Sequence, residues 1–124
     1  MYLCRYHVVW CTKYRRKVLD RKVGERLVEL VESVCQERGI VLMYIEYVPE
    51  YVHLCLEVDP QYGIHRAVKA IKGKTAGTLR EEFPSLRTRM PTLWTNSYFV
   101  STDSEVPAED IARYVGVQKT SQRN

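Results

Sequence analysis

The sequence predicts an α/β (α+β) domain of ferredoxin-like type: an antiparallel sheet with helices on one face. Three observations carry the prediction. Strand-like and helix-like segments follow one another as β-α-β-β-α-β, with one more helix at the C-terminal end. The two middle strands are separated only by Pro49 and Glu50, a turn that pairs them antiparallel. Finally, 124 residues with 45% hydrophobic side chains suffice for one core, so residues 1–124 form a single domain. Two helices cover one face of such a sheet, leaving the other for a ligand, a partner or the last helix.

The elements read in order as follows. Residues 3–12 are rich in Tyr, Val and Trp, as strands are. Tyr14, Arg15, Arg16 and Lys17 make a polar, basic connection. Asp20 is placed to cap a helix in which Val23, Leu27, Leu30, Val31 and Val34 recur at helical spacing as far as Gly39, a natural stop. Residues 40–48 are β-branched and aromatic, and residues 51–58 alternate until Asp59 and Pro60. Ile64, Val68, Ile71 and Leu79 mark a second amphipathic helix, weakened by Gly73 and Gly77 and closed by Pro84. Residues 92–102, with Trp94, Tyr98, Phe99 and Val100, read as the last strand. Pro107 suits the first turn of a final helix that runs to about residue 118.

Charge is unevenly distributed. The net charge is +4, yet residues 39–62 hold four acids and no Lys or Arg, while residues 1–38 and 63–93 hold nine and seven basic residues. A polyanion gripped at the flanks, with a cation between, fits that pattern. Cys4, Cys11, Cys35 and Cys55 are scattered, without the close pairs of a zinc cluster, and read as reduced thiols of a cytoplasmic protein. No apolar run approaches the ~20 residues of a membrane span, and no signal-peptide pattern opens the chain.

Two short patterns carry chemistry. In Glu50-Tyr51-Val52-His53-Leu54, strand spacing turns Tyr51 and His53 to one face; in Tyr114-Val115-Gly116-Val117-Gln118, helical spacing does the same for Tyr114 and Gln118. Brought together, they set an imidazole, a carboxamide oxygen and a phenol around one phosphate, the parts for DNA-strand cleavage through a covalent tyrosine. Taken singly, each has an ordinary reading: a packed histidine on a strand, or a half-buried aromatic beside a solvated amide. Lys13, Arg15, Arg16 and Lys17, interleaved with Tyr14, suit phosphates and a stacked base. Lys69, Lys72 and Lys74 lie along the second helix; a solvated turn and a solvated helix face are the plain alternatives.

Taken together and in order, these blocks resemble the single-tyrosine HUH transposases of bacterial and archaeal insertion sequences, the TnpA or IS-two-hundred-like group. The matching blocks are Tyr6-His7-Val8-Val9-Trp10-Cys11-Thr12-Lys13-Tyr14-Arg15-Arg16; Glu46 to Leu54, ending Pro49-Glu50-Tyr51-Val52-His53-Leu54; Ile71-Lys72-Gly73-Lys74-Thr75; Phe83-Pro84-Ser85-Leu86; Leu93-Trp94-Thr95-Asn96-Ser97-Tyr98-Phe99-Val100-Ser101-Thr102; and Tyr114 to Gln118. The resemblance implies an enzyme that cleaves and rejoins single-stranded DNA with a subterminal hairpin, through a 5′-phosphotyrosine and a free 3′-OH. It implies Tyr114 as nucleophile, Mg²⁺ or Mn²⁺ on His53 and Gln118, and a homodimer. It also implies that the Lys69, Lys72 and Lys74 region helps hold the hairpin.

This chain departs from the family pattern at two places. Tyr51 stands where the metal motif has its first histidine, so a phenol oxygen replaces an imidazole, and His7, on a strand expected beside that of His53, is positioned to compensate. Asp103 and Ser104 stand where the family has a glycine before the catalytic helix, while Gly116 lies within it. Two further readings compete with the active enzyme: a degenerate relative that binds hairpin DNA with little cleavage, and a ferredoxin-like scaffold that assembles partners through its sheet. An RRM-like RNA-binding module shares the order of elements but needs a glycine- and aromatic-rich block that residues 51–56 lack.

Overall fold

The computed structural model describes residues 3–102. The expected final helix, with Tyr114 and Gln118, lies outside the described residues. Within them run β1 (Cys4–Cys11), a 3-10 turn (Lys13–Arg15), α1 (Arg21–Arg38), β2 (Val41–Val48), β3 (Tyr51–Val58), α2 (Ile64–Glu82), α3 (Pro84–Arg89) and β4 (Phe99–Ser101). The sheet order is β2-β3-β1-β4 and every pairing is antiparallel. This is the split βαβ arrangement expected from the sequence.

Local chemistry sets the element ends. The Asp20 carboxylate accepts from the Val23 N–H at 2.9 Å, satisfying one of the helix's orphan donors, and Gly39 ends α1 with φ of 69°. The strands alternate. Val8 and Trp10 on β1, with Val52, Leu54 and Leu56 on β3, face the helices and form the core with Leu27, Val31, Ile71 and Leu79. His7, Val9 and Cys11, with His53 and Cys55, point to the other face and are buried as well. Helix α1 approaches the sheet closely at Gly24, where an added Cβ would collide with the Tyr47 ring of β2.

Two features differ from the sequence reading. Residues 92–102 are not one strand: only Phe99–Ser101 joins the sheet, with an isolated bridge between Thr12 and Trp94. Trp94 is buried instead, its indole N–H donating to the Thr75 hydroxyl at 3.0 Å and its ring meeting Trp10 edge-on at 5.8 Å. Side-chain packing against α2 thus takes this stretch out of the ladder. Pro84 also does more than close α2. Placed at the first turn of a new helix, where a missing N–H costs nothing, it opens α3.

Candidate active site

Strand register assembles the first cluster on the face turned away from the helices. His53 lies opposite Val9 on β1 and Glu46 on β2, and His7 lies opposite Cys55. The two histidines are therefore diagonal neighbours, within side-chain reach. His7 Nδ1 lies 3.1 Å from His53 Nε2, and the Tyr44 hydroxyl lies 3.3 Å from the same His7 nitrogen. Tyr44 lies on this face in regular alternation with Glu46 and Val48, and a bulge between Leu42 and Tyr44 shifts the register only beyond it. The bulge turns Leu42 to the helix side, whereas unbroken alternation would have kept it on the face of Tyr44.

Burial sets the electrostatics. His7 and His53 are 2% and 7% exposed. Desolvation, with the neighbouring His7 second, lowers the His53 pKa, and Glu46 opposes the shift. A neutral imidazole with an available lone pair is the form that binds metal. The Glu46 carboxylate lies 4.0 Å from His53 Nδ1, on the opposite side of the ring from His7, with a side chain 72% exposed. Among the described residues no three His, Cys, Asp or Glu side chains gather closely enough to hold a metal ion. The donors present are two imidazoles and a phenol. Their nitrogens, 3.1 Å apart, share a proton at a separation that also suits two nitrogens side by side on one ion, about 3 Å for bonds near 2.1 Å. The site fits a divalent cation that draws further ligands from elsewhere. Tyr51 shares this face at the start of β3, paired with Cys11 and Val48.

The second cluster is an open groove of about 500 Å³ between α2 and residues 92–98. His65, Lys69, Lys72 and Arg80 line one wall, Trp94, Asn96 and Tyr98 the other, and no acidic side chain enters the lining. Lys72 ties the walls together, donating to the Thr95 carbonyl at 2.6 Å and the Ser97 carbonyl at 3.3 Å. Burial lowers its pKa to about 8, with Cys11 opposing. The Tyr98 hydroxyl lies 2.6 Å from His65 Nδ1, and the two rings stack at 6.0 Å. Lys69 and Lys72 therefore meet in one site, whereas Lys74 is exposed and outside the groove lining. His65, Arg80, Trp94 and Tyr98 were missed in the sequence. The stripe His65, Lys69, Lys72, Ala76, Arg80 has helical spacing and was a usable signal; nothing local marks the opposite wall.

The basic turn adjoins this groove. The Lys13 N–H donates to the Leu93 carbonyl at 2.8 Å and the Thr95 N–H to the Cys11 carbonyl at 3.0 Å. Tyr14 and Arg15 both have left-handed backbones, with φ of 59° and 51°, a strain that surrounding structure must hold. The Thr12 hydroxyl, donating to the Arg16 carbonyl at 2.7 Å, contributes to that hold. Arg15 reaches Glu50 at 3.8 Å. Tyr14 is 47% exposed with the Lys13 ammonium 5.3 Å from its ring centre, and Arg16 and Lys17 are exposed.

The chain is similar to known transposases. The model of the family "Transposase IS200 like" matches residues 1–118. The chain belongs to this family. The ISDra2 transposase TnpA of Deinococcus radiodurans is 33% identical over 120 residues, 95% of this chain and 86% of that protein. The transposase for insertion sequence element IS200 of Salmonella typhimurium is 26% identical over 101 residues, 80% of this chain and 66% of that one. Among solved structures, a candidate transposase from Deinococcus radiodurans R1 superposes with a TM-score of 0.86 at 37% identity, covering 95% of this chain and 92% of that one. A REP-associated tyrosine transposase bound to a REP hairpin superposes at 0.61 with 13% identity over 93% of this chain and 66% of that one, a likeness of fold alone. For an IS200-like transposase, the RRM alternative loses its footing, since the side chains an RRM would stack bases on are here buried: His7, Val9, Cys11, His53 and Cys55. No described helix is long and apolar enough to cross a membrane.

Proposed function

We propose that this IS200-like transposase cleaves and rejoins single-stranded DNA at the foot of a hairpin, with Tyr114 as nucleophile. The observation that carries the reading is His53: buried, favoured in its neutral form, and 3.1 Å from a second imidazole. In the proposed step the Tyr114 phenol loses its proton, and its oxygen attacks phosphorus. The bond from phosphorus to the 3′ oxygen breaks, and that oxygen takes up a proton as a free 3′-OH. The phosphotyrosine keeps the energy of the diester, so attack by another 3′-OH rejoins the strand and frees the phenol. A phenol with a pKa near 10 is a poor nucleophile at neutral pH, so this step needs help in ionising it. His53 and Gln118 would hold Mg²⁺ or Mn²⁺, which when bound supplies charge that polarises the phosphate and orients it.

The groove and the basic turn hold the DNA in this reading. Lys69, Arg80, Lys13, Arg16 and Lys17 offer cations to phosphates, and Tyr14 and Tyr98 offer ring faces to unpaired bases. Two copies associate, with Tyr114 acting on its own site or its partner's. The binding of a REP hairpin by a protein of the same fold supports a hairpin substrate. The test uses the full chain, Mn²⁺ and labelled single-stranded DNA carrying a hairpin. A DNA adduct that survives SDS, and disappears in Tyr114→Phe, is the expected result. Tight binding with no adduct would instead identify a relative that has kept recognition and lost cleavage. Sedimentation of the same protein as a monomer at working concentration would remove the dimer.

A further inference from the structure

We infer that His7 supplies the second imidazole of the metal site, in the role that Tyr51 leaves empty, with the Tyr44 phenol beside it. The inference rests on the metal-dependent reading above and identifies which residues of this chain carry the ion. Three donor atoms meet on the face away from the helices: His53 Nε2, His7 Nδ1 at 3.1 Å from it, and the Tyr44 hydroxyl at 3.3 Å from His7 Nδ1. They come from three adjacent strands, so the sheet itself holds them in place.

Tyr51 is the weaker candidate on chemistry. A neutral phenol is a poorer ligand for a divalent ion than an imidazole, and ionising it close to pH 7 costs far more than using a neutral histidine. It is separated from His53 by one residue along the same strand, and its ladder partners are Cys11 and Val48. A neutral His7 that carries its proton on Nε2 offers the Nδ1 lone pair. The ring contacts agree: His7, His53 and Tyr44 lie with centroids 5.3 to 6.0 Å apart, one continuous group. The ion would take the place of the hydrogen bond between two nitrogens 3.1 Å apart, each ring then carrying its proton on its other nitrogen, while Glu46 stays on the far side of the His53 ring. That placement resembles the outer carboxylates that orient metal-bound histidines.

Mn²⁺ titration of the full chain, followed by electron paramagnetic resonance, tests this without relying on cleavage. Loss of the free-ion signal gives affinity, and the nitrogen modulation of the bound ion counts imidazoles. Wild type should show two. His7→Ala should show one, with affinity lower by at least roughly tenfold, and Tyr51→Phe should keep two with little change in affinity. His7→Asn serves if the alanine variant fails to fold, and should also show one. Two imidazoles retained in either His7 variant would overturn the assignment, as would a loss confined to Tyr51→Phe. Wild type that binds no Mn²⁺ at millimolar concentration would remove the metal, and this inference with it. Normal Mn²⁺ binding by two imidazoles without any DNA adduct would sink only the cleavage reading.

Discussion

The histidine face and the basic groove lie on one small domain and are built by opposite means. On the histidine face, groups from three strands converge through register, and burial suppresses charge, leaving His53 favoured as a neutral donor. In the groove, one helical stripe faces an irregular segment: Lys69 is exposed, Arg80 is half-buried and donates to the Met90 carbonyl, and Lys72 spends two hydrogen bonds on the opposite wall. The same desolvation that suits a histidine to metal binding would disable a phosphate-binding lysine. Lys72 shows the intermediate case, a cation pushed down to about 8 that is held by carbonyls rather than by an acid. In the proposed reading this is a division of labour: chemistry belongs where water is excluded, and grip where it is not.

The sharpest way to break this division is His53→Ala. Strand cleavage should fall by roughly a hundredfold or more, while hairpin-DNA affinity, read by fluorescence anisotropy, stays within about threefold of wild type because phosphate contacts dominate it. Equal losses in both would merge the two regions into one site. Next, Lys69→Ala combined with Arg80→Ala should weaken DNA binding by roughly tenfold at low salt. It should also reduce the slope of log K against log salt by about 1.4, or ~0.7 per lost single-strand phosphate contact. Mn²⁺ affinity should be unaffected, and an unchanged salt slope would take the groove off the DNA path.

Smaller effects sharpen the comparison through the scaffold. Gly24→Ala drives a methyl into the Tyr47 ring on β2, the strand that carries Tyr44 and Glu46. Urea unfolding should show a loss of about 1–3 kcal/mol. Gly77→Ala, where an added Cβ meets nothing, should instead raise stability by about 0.5–1 kcal/mol through helix propensity. Last comes a pH dependence. Lys72 titrates at about 8 in the fold against 10.5 ordinarily. Between those values the unfolded chain binds more protons, so this group makes stability rise with pH. Lys72→Met should lack that rise in melts from pH 8 to 10. The Cys11 and Cys35 thiols, raised by burial to about 11, act in the opposite direction above pH 9 in both proteins. A variant whose curve parallels wild type would mean that Lys72 is hydrated.

Much of this molecule can be read from short stretches of chain. Asp20 and Gly39 bound α1 because a cap and a left-handed stop are one-residue decisions, and residues 51–58 are apolar enough to read as a strand, which the fold buries on both faces. The order of elements implied that β1 borders β3, and so that His7 would lie near His53. Three features needed the folded molecule. The bulge at residues 42–44 turns Leu42 toward the helices, against the alternation that Tyr44, Glu46 and Val48 keep. The hydrogen bond from Trp94 to Thr75 takes residues 92–98 out of the sheet and makes them a groove wall. The carbonyls of Thr95 and Ser97 engage Lys72, turning a lysine that reads as a free basic residue into a clamp. Caps, turns and periodicity depend on neighbours a few residues away. Register, indole burial and the desolvation of a lysine depend on partners from 19 to 37 residues distant, whose packing is settled collectively.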